Sequence, residues 1–223
     1  IPKGLEAVIT IACVWVQGHV PFSAQYVEKL HRMAWRWAKE PFEFVCLTDQ
    51  PEKLSPTIRT IKIKLPKGMK GWWAKVELFN PAHELKGRIL SLDLDTLIVA
   101  PLTPIINYPA RFALAPDGAP NFKGGGGLKV VKRFNSSVML FTAGEQSDIY
   151  TQFNKAVTKR LWGDQDWIGE LYPKAVAMPK EWFPRISEGS PPEWKKGTKV
   201  VLCKKPKNEL AAKQWPWFKE MWG

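Results

Sequence analysis

The sequence predicts a single α/β domain spanning residues 1–223, with a mostly parallel central sheet flanked by helices. Three observations carry this expectation. The 223 residues, 45% hydrophobic and 24% charged, suffice for one sizeable core and fall in the range of one large domain. The main apolar runs are short and unbroken rather than alternating, the mark of strands buried on both faces. Through the first half of the chain these runs alternate with helical stripes, which calls for crossover connections and therefore parallel pairing.

The elements follow in order. AVITIACVWV, Ala7 to Val16, is a continuous β-rich run short enough for a doubly covered strand. From Ser23 to Ala38, Val27, Leu30, Ala34 and Trp37 recur at spacings of three and four, which gives a helix one apolar stripe. FEFVCLTD, Phe42 to Asp49, is a second buried strand, closed by the turn-rich DQPEKLSP. IRTIKIKLP, Ile58 to Pro66, alternates apolar and basic residues, as an edge or one-sided strand does. KGWWAKVELFNP gives a short helix from Trp73 to Phe79, stopped at Asn80-Pro81 because a proline disfavours helical geometry in the residue before it. GRILSLDLDTLIVAPL, Gly87 to Leu102, reads as the third buried strand. Strands around Arg111 to Ala115 and Ser137 to Phe141, a helix from Asp148 to Trp162 and a Pro- and Trp-rich C-terminal third complete the chain.

Composition narrows the function classes. No window of eighteen apolar residues and no N-terminal leader pattern is present, so the expectation is a soluble, cytoplasmic protein. Cys13, Cys46 and Cys203 are widely spaced, without a CxxC pair, which suggests neither a disulfide framework nor a zinc site. Cys13 and Cys46 lie in apolar runs and are expected to be buried. The net charge of +12 attracts polyanions. It is concentrated in two stretches without acids, Lys53 to Lys75 and Gly118 to Gly144, the second of which contains the glycine run Gly124 to Gly127. That run is no P-loop, since no GK[ST] follows it. It reads either as a mobile lid on the acceptor side or as a surface linker.

Two aspartates interrupt the third strand run. In an extended strand Asp93 and Asp95 project from one face while Leu94 packs on the other. Two like charges held together favour a cation, and Mg²⁺ or Mn²⁺ bound by one or two carboxylates completes its shell with substrate phosphates. The carboxyl end of a parallel strand is where such sheets bind ligands.

LSLDLDTLIV resembles the DxD strand of the GT-A (Rossmann-like) glycosyltransferases, specifically the glycogenin-like family eight and its small bacterial and phage relatives. Other segments agree in order: GWWAKVELF with the Lys-bearing helix before the DxD strand, FNSSVMLF with the strand that opens on asparagine, GDQDWI with the Asp-Gln-Asp motif, and VVLCKKPKN followed by Trp217 and Trp222 with the closing His-Gly-Lys-Pro segment. The resemblance covers Val8 to Trp222. It implies a sugar nucleotide, a UDP-sugar first, as donor and Mn²⁺ or Mg²⁺ as cofactor. Asp93 and Asp95 would hold the metal and, through it, the diphosphate, and Lys75 would lie near the phosphates. Asn135 would bond the donor sugar, and Val14 to Gln17 would meet the base. Asp164 and Gln165 would line the anomeric face with Asp166 behind them, while Lys205 and Lys207 would close over the diphosphate. The third metal ligand of the family, a histidine, is replaced here by Cys203, a softer ligand.

The implied reaction is sugar transfer with retention, either by double displacement or by front-face attack. The charge, rather than the resemblance, points to a polyanionic acceptor. DNA with a hydroxylated base stands slightly ahead of an anionic envelope glycolipid reached from a membrane surface. A two-metal phosphatase or nucleotidyltransferase would need further carboxylates, and no suitable cluster is visible. A non-catalytic nucleic-acid or membrane-binding module on the same fold is the remaining alternative.

Overall fold

The computed structural model describes residues 9–17, 22–117, 134–186, 196–203 and 212–223. Lys205, Lys207 and the glycine run Gly124 to Gly127 lie outside these residues.

Seven strands form the central sheet: β1 (Ile9–Trp15), β2 (Phe42–Thr48), β3 (Arg59–Lys62), β4 (Arg88–Leu92), β6 (Phe112–Pro116), β7 (Phe134–Thr142) and β8 (Val176–Ala177), in the order β3-β2-β1-β4-β7-β6-β8. Every pair is parallel except those made by β7, which runs antiparallel to both β4 and β6. The carboxyl ends of β1, β4 and β6 and the amino end of β7 therefore meet along one edge. A separate ladder pairs β5 (Thr96–Ile98) with β9 (Val200–Leu202).

The doubly buried strands match the expectation. Along β1 and β2, Ile11, Cys13, Phe44 and Cys46 face one apolar cluster, while Ala12, Val45 and Leu47 face the other. All three cysteines are free and buried. The first cluster is covered by α1 (Ala24–Trp37), which buries Tyr26, Val27, Leu30, Met33 and Ala34, and by the short α2 (Thr103–Ile106), which buries Ile105 and Ile106. The second is covered by a 3-10 helix, Gly71–Phe79. Fully burying one such large apolar side chain is worth about 1.5–3 kcal/mol, so the two covered faces anchor the sheet edge that carries the site. Among the described residues, no helix is long and apolar enough to cross a membrane.

Three elements differ from the sequence reading. The run Gly87 to Leu102 is two strands in two sheets, and Asp93 to Asp95 form a turn between them rather than one face of a strand. Both the backbone N–H and the hydroxyl of Thr96 donate to the Asp93 carbonyl, at 3.1 and 2.7 Å, and close that turn. The helix expected from Asp148 to Trp162 is broken into α3 (Asp148–Thr151) and α4 (Lys155–Arg160), because Asn154 caps α4 by accepting from the Ala156 N–H. The segment from Trp73 to Phe79 begins two residues earlier and winds as a 3-10 helix, whose period of three sets Trp72, Lys75 and Leu78 in one row.

Candidate active site

The site assembles on the carboxyl edge of the sheet. β1 delivers Val14, Trp15 and Val16, the turn after β4 delivers Asp93, Leu94 and Asp95, and the 3-10 helix delivers Gly71, Trp72 and Lys75. These residues line one cavity of about 130 Å³. The sequence reading expected Val14 to Gln17, Lys75 and both aspartates in one site, and the fold brings Val14, Trp15, Val16, Lys75, Asp93 and Asp95 together.

Lys75 is the electrostatic centre. Its ammonium lies 2.7 Å from Asp93 Oδ1 and 3.5 Å from Asp164 Oδ2, and it donates to the carbonyl and the hydroxyl of Ser136, each at 3.2 Å. Burial opposes its charge, but the carboxylates of Asp164, Asp93 and Asp95 outweigh burial and hold its pKa above the ordinary lysine range. Lys75 thus stays protonated, with a side chain only 11% exposed. Asp164 reaches it from the first turn of α5 (Asp164–Leu171), whose N-cap is Gly163. Asp166 stabilises the same turn by accepting from the Trp162 N–H at 3.2 Å.

Asn135 lies in β7 itself, where its side-chain oxygen accepts from the Ser137 N–H at 2.8 Å, opposite an irregularity in β6. Gln165 donates through Nε2 to Asp117 Oδ2 at 3.4 Å, and Asp117 Oδ1 accepts from Arg185 at 2.8 Å. This turns the Gln165 amide oxygen away from Asp117. Sequence reasoning missed three of these groups. Asp117 follows the strand FALAP much as Asp93 follows RILSL, and that likeness was its available signal. Arg185, in the irregular segment WFPRIS, and Ser136, beside Asn135, gave none.

The β5–β9 register places Thr96 opposite Leu202, and hence Asp95 beside Cys203. Burial, then the Asp95 charge, pushes the Cys203 thiol well above its usual pKa. A buried protonated thiol is a poor match for a hard cation. Among the described residues no three His, Cys, Asp or Glu side chains form a metal-binding cluster. Among the described residues that line the cavity, Asp93 and Asp95 are the carboxylates. That donor set fits a Mg²⁺ or Mn²⁺ ion shared with a diphosphate, rather than a cage built by protein alone.

No protein-family model and no curated protein sequence matches the chain. Solved structures do. The galactosyltransferase LgtC, in a complex with donor and acceptor sugar analogs, superposes with a TM-score of 0.62 at 15% identity, over 96% of this chain and 95% of that one. The bifunctional glycosyltransferase WbbM matches with a TM-score of 0.60 at 12% identity, over 91% of this chain. The glycosyltransferase GlyE of Streptococcus pneumoniae TIGR4 matches with a TM-score of 0.54 at 14% identity, over 78% of this chain. This chain spans 46% of the length of each of the latter two. The fold is that of the GT-A glycosyltransferases.

Proposed function

We propose that the chain is a glycosyltransferase that moves a sugar from a nucleotide-sugar donor, a UDP-sugar first, to a polyanionic acceptor with retention of configuration. The observation that carries this reading is the Lys75 ammonium held between Asp93 and Asp164 beside the cavity at the sheet edge. The ordered motifs resembling family eight and the LgtC complex with donor and acceptor sugar analogs support it. Asp93 and Asp95 would hold Mn²⁺ or Mg²⁺ together with the donor diphosphate, and the ion would supply charge neutralisation on the leaving group. Lys75 adds a fixed cation beside it. Lys205 and Lys207 remain the proposed closing residues over the diphosphate.

Front-face attack is the favoured route, because neither nearby carboxylate is free to act as a nucleophile. Asp164 is buried against Lys75, and Asp117, with a side chain 6% exposed, is bonded to Arg185. The Gln165 amide oxygen is weakly basic and serves to stabilise positive charge at the anomeric carbon. In that step the bond from the anomeric carbon to the phosphate oxygen breaks and the bond to the acceptor oxygen forms on the same face. The acceptor proton passes to the departing phosphate oxygen.

The test is incubation with a panel of nucleotide sugars and Mn²⁺, reading released nucleotide. Release with none of them, and no rise in melting temperature with any, would reject the reading. In the same assay Cys203→His is expected to tighten Mn²⁺ dependence, and no change would mean Cys203 only packs. Arg185→Ala is expected to lower kcat about 10-fold through loss of support for Asp117 and Gln165, with donor KM unchanged and partial rescue by Arg185→Lys. An equal loss in KM would refute that positioning role.

On charge, DNA with a hydroxylated base is the first acceptor to try, since Lys62, Lys64, Lys67 and Lys70 are exposed along one short stretch without acids. A specific observation favours an anionic glycolipid as the second. At the start of α6 (Pro216–Trp222) its N-cap Trp215 stacks on Trp217 at 6.2 Å, and at its end the Lys29 ammonium lies 3.9 Å over the Trp222 ring. Aromatic faces among lysines suit a membrane interface. Pelleting with anionic vesicles, against a steep salt dependence of duplex binding, separates the two.

A further inference from the structure

Two cavities lie on the far side of the 3-10 helix from the donor cavity. One, of about 450 Å³, runs between Leu65–Trp73 and Tyr150–Thr158, and the other, of about 310 Å³, continues it to Trp162. They share Gly68, Met69, Trp73 and Thr158 as walls, so they form one groove. Each volume falls in the range of about 300–1,000 Å³ seen for small-ligand clefts.

Both walls of the groove end on the active site. One wall passes from Lys70 directly into Gly71 and Trp72 of the donor cavity. The other passes from Trp162 through Gly163 to Asp164, which faces Lys75. The Trp72 indole stands between the two cavities. A methyl group placed on Gly163 would meet it at 3.5 Å, and the Lys70 ammonium lies 4.9 Å over its ring. A chain lying in the groove would therefore point its end across Trp72 toward the donor.

The chemistry of the groove selects one kind of chain. Lys67, Lys70, Lys155 and Lys159 are exposed along it, and Lys155 and Lys159 share a face of α4 at a spacing of four. None of the four ammoniums forms an ion pair with a described carboxylate. The opposing charges are already committed: Glu77 is bonded to His83 and Asn80, and Glu170 to Arg160. Between the lysines stand the Thr151 and Thr158 side chains, which can meet hydroxyl groups, and Trp162, 59% exposed, which offers a ring face. Hydroxyl partners, an exposed indole and ammoniums with no described carboxylate against them together match a sugar chain that carries acid groups.

We propose that this groove is a subsite for an anionic saccharide, holding the part of the acceptor remote from the reacting hydroxyl. The inference rests on the glycosyltransferase reading for its purpose, but its binding test does not need turnover.

The experiment titrates the full chain with trigalacturonate, with maltotriose as a neutral control and with a short DNA duplex, reading heat and tryptophan fluorescence. Trigalacturonate is expected to bind at least ten times more tightly than maltotriose. The surface double variant Lys67→Ala/Lys155→Ala is expected to lose that preference, and Trp162→Ala to lose the fluorescence change. Equal binding of the two saccharides, or a preference untouched by the double variant, would overturn the proposal. Tighter duplex binding weakened by the same double variant would also overturn it, since the groove would then belong to a nucleic-acid surface. Binding of a UDP-sugar with Mn²⁺, measured on the same samples, is expected to be unchanged by the lysine substitutions. Its absence from every sample would overturn the glycosyltransferase reading and leave the saccharide titration to decide the groove.

Discussion

Lys75→Met is expected to lose about 3 kcal/mol of folding stability, the lower end of the about 3–5 kcal/mol that follows removal of one partner from a buried ion pair. The lower end applies because Asp93 keeps a side chain 28% exposed and can recover water, whereas Asp164, at 8%, cannot. The variant leaves two carboxylates facing each other across a site emptied of its cation. The midpoint of urea unfolding checks the loss, and unchanged stability would mean that Lys75 does not hold the two acids. The pH dependence gives an independent reading. The folded protein binds the Lys75 proton more tightly than the unfolded chain. This stabilisation is therefore complete below the unfolded lysine value of about 10.4 and is lost as pH rises through the higher folded value. Wild-type stability should fall across that alkaline window more steeply than that of Lys75→Met.

The second large effect separates the two aspartates. Asp95→Asn should weaken Mn²⁺-dependent binding of the nucleotide sugar about 100-fold or more, since even an outer-shell partner of a metal ligand is worth about 10–100-fold in metal affinity. Its effect on the apoprotein should be smaller than that of Asp93→Asn, because Asp95 is the weakest of the three carboxylate influences on Lys75 and its neutralisation relieves repulsion with Asp93. Asp93→Asn should lose donor binding to a similar degree and stability as well, because it deprives Lys75 of its contact at 2.7 Å. Calorimetric titration with and without Mn²⁺, alongside thermal unfolding, reads both. Undiminished donor affinity in Asp95→Asn would remove the acid turn from the mechanism.

The parts of this architecture that depend on local periodicity were legible. Strands with apolar residues on both faces appear as unbroken runs, and the stripe of α1 appears as threes and fours. The break at Asp93 to Asp95 was not legible, because leucine, isoleucine and valine continue on both sides of it. Only the two bonds from Thr96 to the Asp93 carbonyl, and a partner strand from the C-terminal segment, distinguish two strands from one. Lys75, Asp93, Asp95, Asp164 and Gln165 were named through motif order, and the fold brings Lys75 into contact with Asp93 and Asp164. The bond between Asp117 and Arg185 spans 68 residues and has no period to betray it.

The pairing of β5 with β9 also ties the order of assembly to the candidate site. β1, β2 and β4 find one another over short separations, but the strand that follows the acid turn has its ladder partner far along the chain, at Val200–Leu202. Closing so long a loop costs entropy before any contact repays it. Synthesis must therefore have passed Leu202 before the turn bearing Asp93 and Asp95 is clamped on both sides. A nascent chain can build most of the sheet while the acid turn at the edge of the cavity still lacks the partner of its second strand.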